Sequence, residues 1–145
     1  VYYDADRPPI KEPFLVLNAD GSGPVHSLSV PSLVAPTYAP AGQALISVVV
    51  LGHQDMGDDV LEEEVRRQLT DWYGAAVDAW RFIKMYRSRH AFSDQVPPMH
   101  NPTVPAGKIG QNIYVCGEYR SAPSTQWAMV SGRQAAEALI ADLKH

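Results

Sequence analysis

A chain of 145 residues with 46% hydrophobic and 19% charged side chains can bury roughly two-thirds of the surface its unfolded form exposes, which excludes intrinsic disorder. A formal net charge of −4, with no basic run longer than Arg66-Arg67, excludes the electrostatic footprint of a nucleic-acid or anionic-membrane binder. One cysteine, Cys116, excludes an internal disulfide and points to a reducing, cytoplasmic setting, and the longest apolar run, 44–52, is too short to span a bilayer.

Val1-Tyr2-Tyr3 reads as the inside of a strand and 1–7 lacks the layout of a signal peptide, so the chain is expected to begin at a cut. A strand at 14–18 leads to the turn Ala19-Asp20-Gly21-Ser22-Gly23-Pro24, whose Asp-Gly and Gly-Pro steps are strong punctuation. Residues 25–30 set Val25, Leu28 and Val30 among polar neighbours, and 44–51 is a β-branched run suited to a strand buried on both faces. Together these predict an antiparallel meander. Between them Pro31, Pro36 and Pro40 lack an N–H and restrict the residues before them, which predicts a long loop over 32–41.

Residues 58–73 predict a helix, with Leu61, Val65, Leu69 and Trp72 on one stripe and Glu62, Glu63, Arg66 and Arg67 opposite. Asp59 with Glu62 fits a capping box, and Gly74 stands where a C-terminal cap belongs. The alternation over 79–92 favours a long strand, with a helix as the alternative, and the four prolines within 95–108 predict an irregular connector between substructures. A last helix runs from Ser124 or Thr125 to Leu143, with Ser124 as N-cap and Met129, Gly132, Ala136, Ile140 and Leu143 on one face.

The richest stretch is 113–140: a buried strand ending in Cys116, the glycine Gly117, a short polar loop, and then a helix with small residues in its first turns. Glycine permits close approach of a ligand to the main chain, and a helix N-terminus offers unpaired N–H groups and partial positive charge. Gly117 and the turn from Thr125 through Gln126 and Trp127 to Ala128 supply both. An ordinary β–α unit, with small residues for tight packing, fits the same pattern. Cys116 reads as a buried inert thiol, the five histidines show no metal-ligand spacing, and no Ser-His-Asp set follows from spacing, so no catalytic residue and no metal site are assigned.

Gly117, Glu118, Ala128, Ser131, Gly132, Ala135 and Ala136 resemble the C-terminal motif of the FAD-dependent amine oxidase and phytoene desaturase superfamily, an "hhhhGD" strand followed by a "GAxxSGxxAA" helix. The run Val30-Pro31-Ser32 through Tyr38-Ala39-Pro40-Ala41-Gly42 is similar to that family's "hPSxhaPxYAPxG" stretch, and the acidic helix, strand and Pro-rich return follow in the same order. The resemblance implies flavin contacts at Gly117 and Glu118, at Trp127 and Ala128 through backbone groups, and at Ser131 and Gly132 through close packing. Glu118 replaces the family's usual Asp, Trp127 its usual Gly, and Ser124 stands near the place of the aromatic cage residue of monoamine oxidases, which implies the desaturase-like branch.

The expected architecture is α+β: a mainly antiparallel sheet with one packed helix, plus a C-terminal strand-helix unit of a Rossmann-like FAD domain. Residues 1–108 would belong to a substrate-binding domain and 109–145 to the FAD domain. No GxGxxG occurs in the sequence, so the chain is expected to hold one side of an FAD site, to be inactive and without FAD alone, and to need the N-terminal half of the same protein. The expected function is oxidation of an apolar or amine-bearing small molecule, and the fragment is expected to self-associate. The alternative is a non-catalytic ligand-binding or interaction domain.

Overall fold

The computed structural model describes residues 1–52, 54–91, 107–120 and 122–144, in two compact units, Val1–Arg87 and Ser88–His145. The architecture is α+β. Among the described residues no helix is long and apolar enough to cross a membrane.

In the first unit, strands β1 (Tyr2–Ala5), β2 (Val16–Leu17), β3 (Val25–Ser29), β4 (Ala44–Val50) and β5 (Arg81–Lys84) form one antiparallel sheet in the order β2-β3-β4-β1-β5. The expected meander is present in β2, β3 and β4, and β1 joins its far side, pairing with β4 and β5. Apolar Val25 and Leu28 are three apart, which a regular strand would send to opposite faces. The register slips by one residue between Val25 and Ser27, so both are buried. Strand β4 buries Ala44, Ile46 and Val48 and leaves Leu45, Ser47 and Val49 more open, so the expectation of burial on both faces is corrected: the sheet has one helix-covered face.

That helix is α2 (Asp58–Tyr73), whose Leu61, Val65 and Leu69 close the core over Tyr3, Leu28, Ile46 and Val48. Each such side chain contributes roughly 1.5–3 kcal/mol by leaving water. The expected capping box does not form. Gly57 is the N-cap, two residues before Asp59, with no side-chain bond, and Glu62 is taken by Arg66 at 2.8 Å. The C-terminal end is as expected, with Gly74 at φ 69°. On the buried side, Gln68 accepts from the Val25 N–H at 2.8 Å and donates to the Ser22 carbonyl at 2.7 Å, tying the first turn to the helix. A Cβ on Gly23, at φ 70°, would lie 2.6 Å from Gln68 Cδ, so glycine is needed there.

Two expectations of irregular or extended chain are corrected. Residues 32–41 are not a featureless loop: Pro31–Val34 is a helical turn, α1, and Pro36–Tyr38 a 3₁₀ turn, each led by a proline in the position where a helix needs no N–H. Ser32 Oγ accepts from the Leu45 N–H at 3.0 Å and fixes α1 to β4. The strand expected over 79–92 is only Arg81–Lys84, after a 3₁₀ segment at Gly74–Ala79. Its partner β1 is four residues long, and beyond β5 the Arg87 guanidinium turns back to Asp58, at 2.5 Å, and to the carbonyls of Gln54 and Met56. The end of that expected strand at Phe92 and most of the proline connector lie outside the described residues.

In the second unit, β6 (Lys108–Gly110) and β7 (Ile113–Tyr114) form an antiparallel hairpin turned at Asn112, φ 59°, and α3 (Thr125–Asp142) packs on it. The buried strand expected over 113–116 is corrected: only two residues are strand, Ile113 is 55% exposed, and Cys116 is an exposed thiol beyond the strand end. Helix α3 buries Ser131 and Ala135, one turn apart, against the hairpin side, while Met129, Ala136, Ile140 and Leu143 on the other side are exposed.

Candidate functional site

The turn after β7 is built around Gly117, at φ 148°, a backbone region that side chains disfavour. A Cβ there would come within 2.7 Å of Tyr119 Cδ1, so the Tyr119 ring occupies the space a side chain would need. The Gly117 carbonyl accepts from the Arg120 N–H at 3.1 Å, closing a 3₁₀ turn over Glu118–Arg120 with Glu118, half-buried, at its start. The Gly117 N–H donates to Ser131 Oγ at 3.2 Å. Two motif residues separated by fourteen positions are therefore bonded.

Ser124 has the extended backbone of an N-cap, and its Oγ accepts from the Trp127 N–H at 3.2 Å. Its carbonyl accepts from the Ala128 N–H at 3.0 Å. The Trp127 and Ala128 N–H groups are thus used within the cap. The N–H groups of Thr125 and Gln126 precede the first intrahelical bond of α3, and both residues are exposed. No acidic residue lies in this first turn to neutralise the positive end of an 18-residue helix. A Cβ on Gly132, on the next turn, would meet nothing within 4 Å. Exposed donors on a positive helix end, beside a glycine turn and an open small-residue position, fit the acceptor-rich edge of a flavin ring.

Sequence reasoning missed what holds this frame. The Val115 N–H donates to the Gly107 carbonyl at 2.7 Å, and a Cβ on Gly107 would lie 2.5 Å from Ala135 Cα, so α3 sits on the hairpin at backbone distance. At the far end Asp142 pairs with Lys108 Nζ at 2.5 Å and accepts from the Tyr114 hydroxyl. The hydrogen bond from Lys108, then that from Tyr114, hold the Asp142 carboxyl below its usual range, and Asp142 in turn raises both partners. The signal for Gly107 is present, a glycine just ahead of a strand and two residues after Pro105, but its partner is 28 residues away.

The first unit, by contrast, has acidic residues, Asp58 and Asp59, in the first turn of its long helix α2. It has a hollow of about 320 Å³ with a largely apolar wall that includes Phe14, Leu15, Val30, Val34 and Tyr38. Beneath α2, the buried Tyr3 hydroxyl makes no hydrogen bond of good geometry; burial, then the nearby Glu62 carboxylate, push its pKa well up. Arg66 lies 5.2 Å from the Tyr3 ring centre and donates to the carbonyls of Val77 and Trp80, which makes this cluster structural. Among the described residues no group of three His, Cys, Asp or Glu side chains could hold a metal ion.

No curated protein and no solved structure matches the chain. The sequence pattern of the flavin containing amine oxidoreductases matches residues 2–140, which span both units. The chain therefore belongs to the flavin-containing amine oxidoreductase family.

Proposed function

We propose that this chain is the C-terminal portion of a cytoplasmic FAD-dependent oxidoreductase that oxidises an apolar or amine-bearing small molecule. In this reading the first unit, Val1–Arg87, belongs to the substrate-binding domain, and the boundary expected after residue 108 moves ahead of β6, so that the hairpin and α3 form the last β–α unit of a Rossmann-like FAD domain, with the N-terminal half of the same protein completing the site. Bound FAD would supply the two-electron acceptor chemistry. Thr125 and Gln126 would donate their main-chain N–H groups to the pyrimidine edge of the flavin, where reduction gathers negative charge. Trp127 and Ala128 would line the same turn, Gly117 and Glu118 would border it, and Ser131 and Gly132 would keep the helix close. The exposed, acid-free first turn of α3 beside Gly117 carries the proposal. The apolar hollow at Phe14, Val34 and Tyr38 supports an apolar substrate, and Ser124 in the place of a cage aromatic supports the desaturase-like branch over a monoamine oxidase.

Gly132→Leu in the full-length protein is the test. Within this chain the site has open space and leucine is the better helix former, so the substitution leaves the helix intact and fills the volume reserved for a neighbour. The expected result is a folded protein that purifies without flavin absorbance. A full flavin complement with an unchanged spectrum overturns the proposal.

A further inference from the structure

We infer that Ser131 is a positioning residue, which acts on the flavin edge through Gly117 and does not contact the cofactor. Ser131 is 1% exposed, on the face of α3 that packs toward the hairpin, so its hydroxyl is closed off from a ligand approaching the exposed helix start. Its Oγ receives the Gly117 N–H at 3.2 Å. That amide belongs to a glycine at φ 148°, and without its acceptor the turn would lose the partner of a part-buried donor.

The consequence is mechanical. The strand-end turn and the helix N-terminus are separate segments joined by a polar loop, and a ligand that touches both needs them at fixed spacing. The Ser131 to Gly117 bond supplies that spacing directly, and the Tyr119 ring packed where a Gly117 side chain would stand blocks the turn from collapsing the other way. Support of this kind, from a buried side chain to the backbone that meets the ligand, is what holds a site in productive geometry. The inference rests on the flavin reading above.

The test combines amide hydrogen exchange on this chain with FAD affinity of the full-length protein, for wild type, Ser131→Ala and Ser131→Thr. Alanine removes the acceptor with almost no change of volume and favours the helix; threonine retains the hydroxyl. In Ser131→Ala the Gly117 amide should exchange roughly 3- to 10-fold faster, the range expected for losing one hydrogen bond, with the Val115 amide unchanged. The FAD dissociation constant should rise by a similar factor, and Ser131→Thr should restore both. Unchanged Gly117 exchange in Ser131→Ala overturns the inference, whatever the affinity. Faster exchange with unchanged FAD affinity overturns the positioning role, and lost affinity with intact Gly117 protection shows that Ser131 meets the cofactor itself. Flavin retention by Gly132→Leu is a separate failure, belonging to the flavin reading and not to the Ser131 bond.

Discussion

Gly107 and Ala135 meet backbone to backbone: a side chain begun on Gly107 would lie 2.5 Å from the Ala135 Cα. The residue leading into β6 and the helix have no room between them for a methyl group. Gly107→Ala is therefore expected to push α3 outward and to destabilise the second unit by about 1–3 kcal/mol, the usual range for overpacking. Amide exchange across α3 measures it. Unaltered protection at Ser131 and Ala135 would show that the helix shifts without cost.

Gln68 is the corresponding joint of the first unit. It is 6% exposed and uses both ends of its amide, one on Val25 and one on Ser22. Gln68→Ala leaves a buried N–H without an acceptor, for a loss of about 1–3 kcal/mol. The urea midpoint should fall with an unchanged slope, whereas Gln68→Glu should be nearly as damaging, because a carboxylate cannot donate to the Ser22 carbonyl.

The Asp142 cluster sets a pH window for the second unit. Asp142 has its folded pKa lowered by Lys108 and Tyr114, so its contribution is present above its unfolded value and lost as pH falls through the folded one. Lys108 and Tyr114 are raised by Asp142, so their contribution is full below their unfolded values and lost as pH rises through the folded ones. Stability of α3 against the hairpin should thus decline both below about pH 4 and above about pH 10. Asp142→Asn should flatten the acid limb, and a wild-type profile already flat there would contradict the assignment.

The outer face of α3 carries Met129 at 72% exposure, with Ile140 and Leu143 about three and four turns further along the same side. An exposed apolar stripe of this kind drives association. The isolated chain is expected to self-associate, with light-scattering mass rising with concentration, and Ile140→Glu should suppress the rise. A constant monomer mass for wild type over the same range would remove this prediction.

Features set by neighbours along the chain are legible in the order of the amino acids alone. The stripe Leu61, Val65, Leu69 places α2 between Asp58 and Tyr73, Gly74 ends it, and Ser124 caps α3, because each depends on contacts within one or two helical turns. Features set by distant partners are not. Nothing near Tyr2 tells that β1 inserts between β4 and β5, and the alternation of 79–92 says nothing of how short a strand its partner allows. At the candidate site, spacing brings Gly117, Ser131 and the helix start into one motif, yet it cannot show that Ser131 bonds the Gly117 amide, or that Trp127 and Ala128 spend their N–H groups on Ser124. Gln68 escapes notice because a glutamine on a helix reads as solvated, although it falls on the same face as Leu61 and Val65.

Cys116 is the single sulfhydryl of the chain, it faces solvent, and it adjoins Gly117. A maleimide dye would therefore attach at one known point, a single peptide unit from the turn assigned to the flavin edge. Quenching of that dye when the labelled chain is combined with the N-terminal half of the same protein and FAD would report occupancy of this corner directly, with no need for turnover or for knowledge of the substrate.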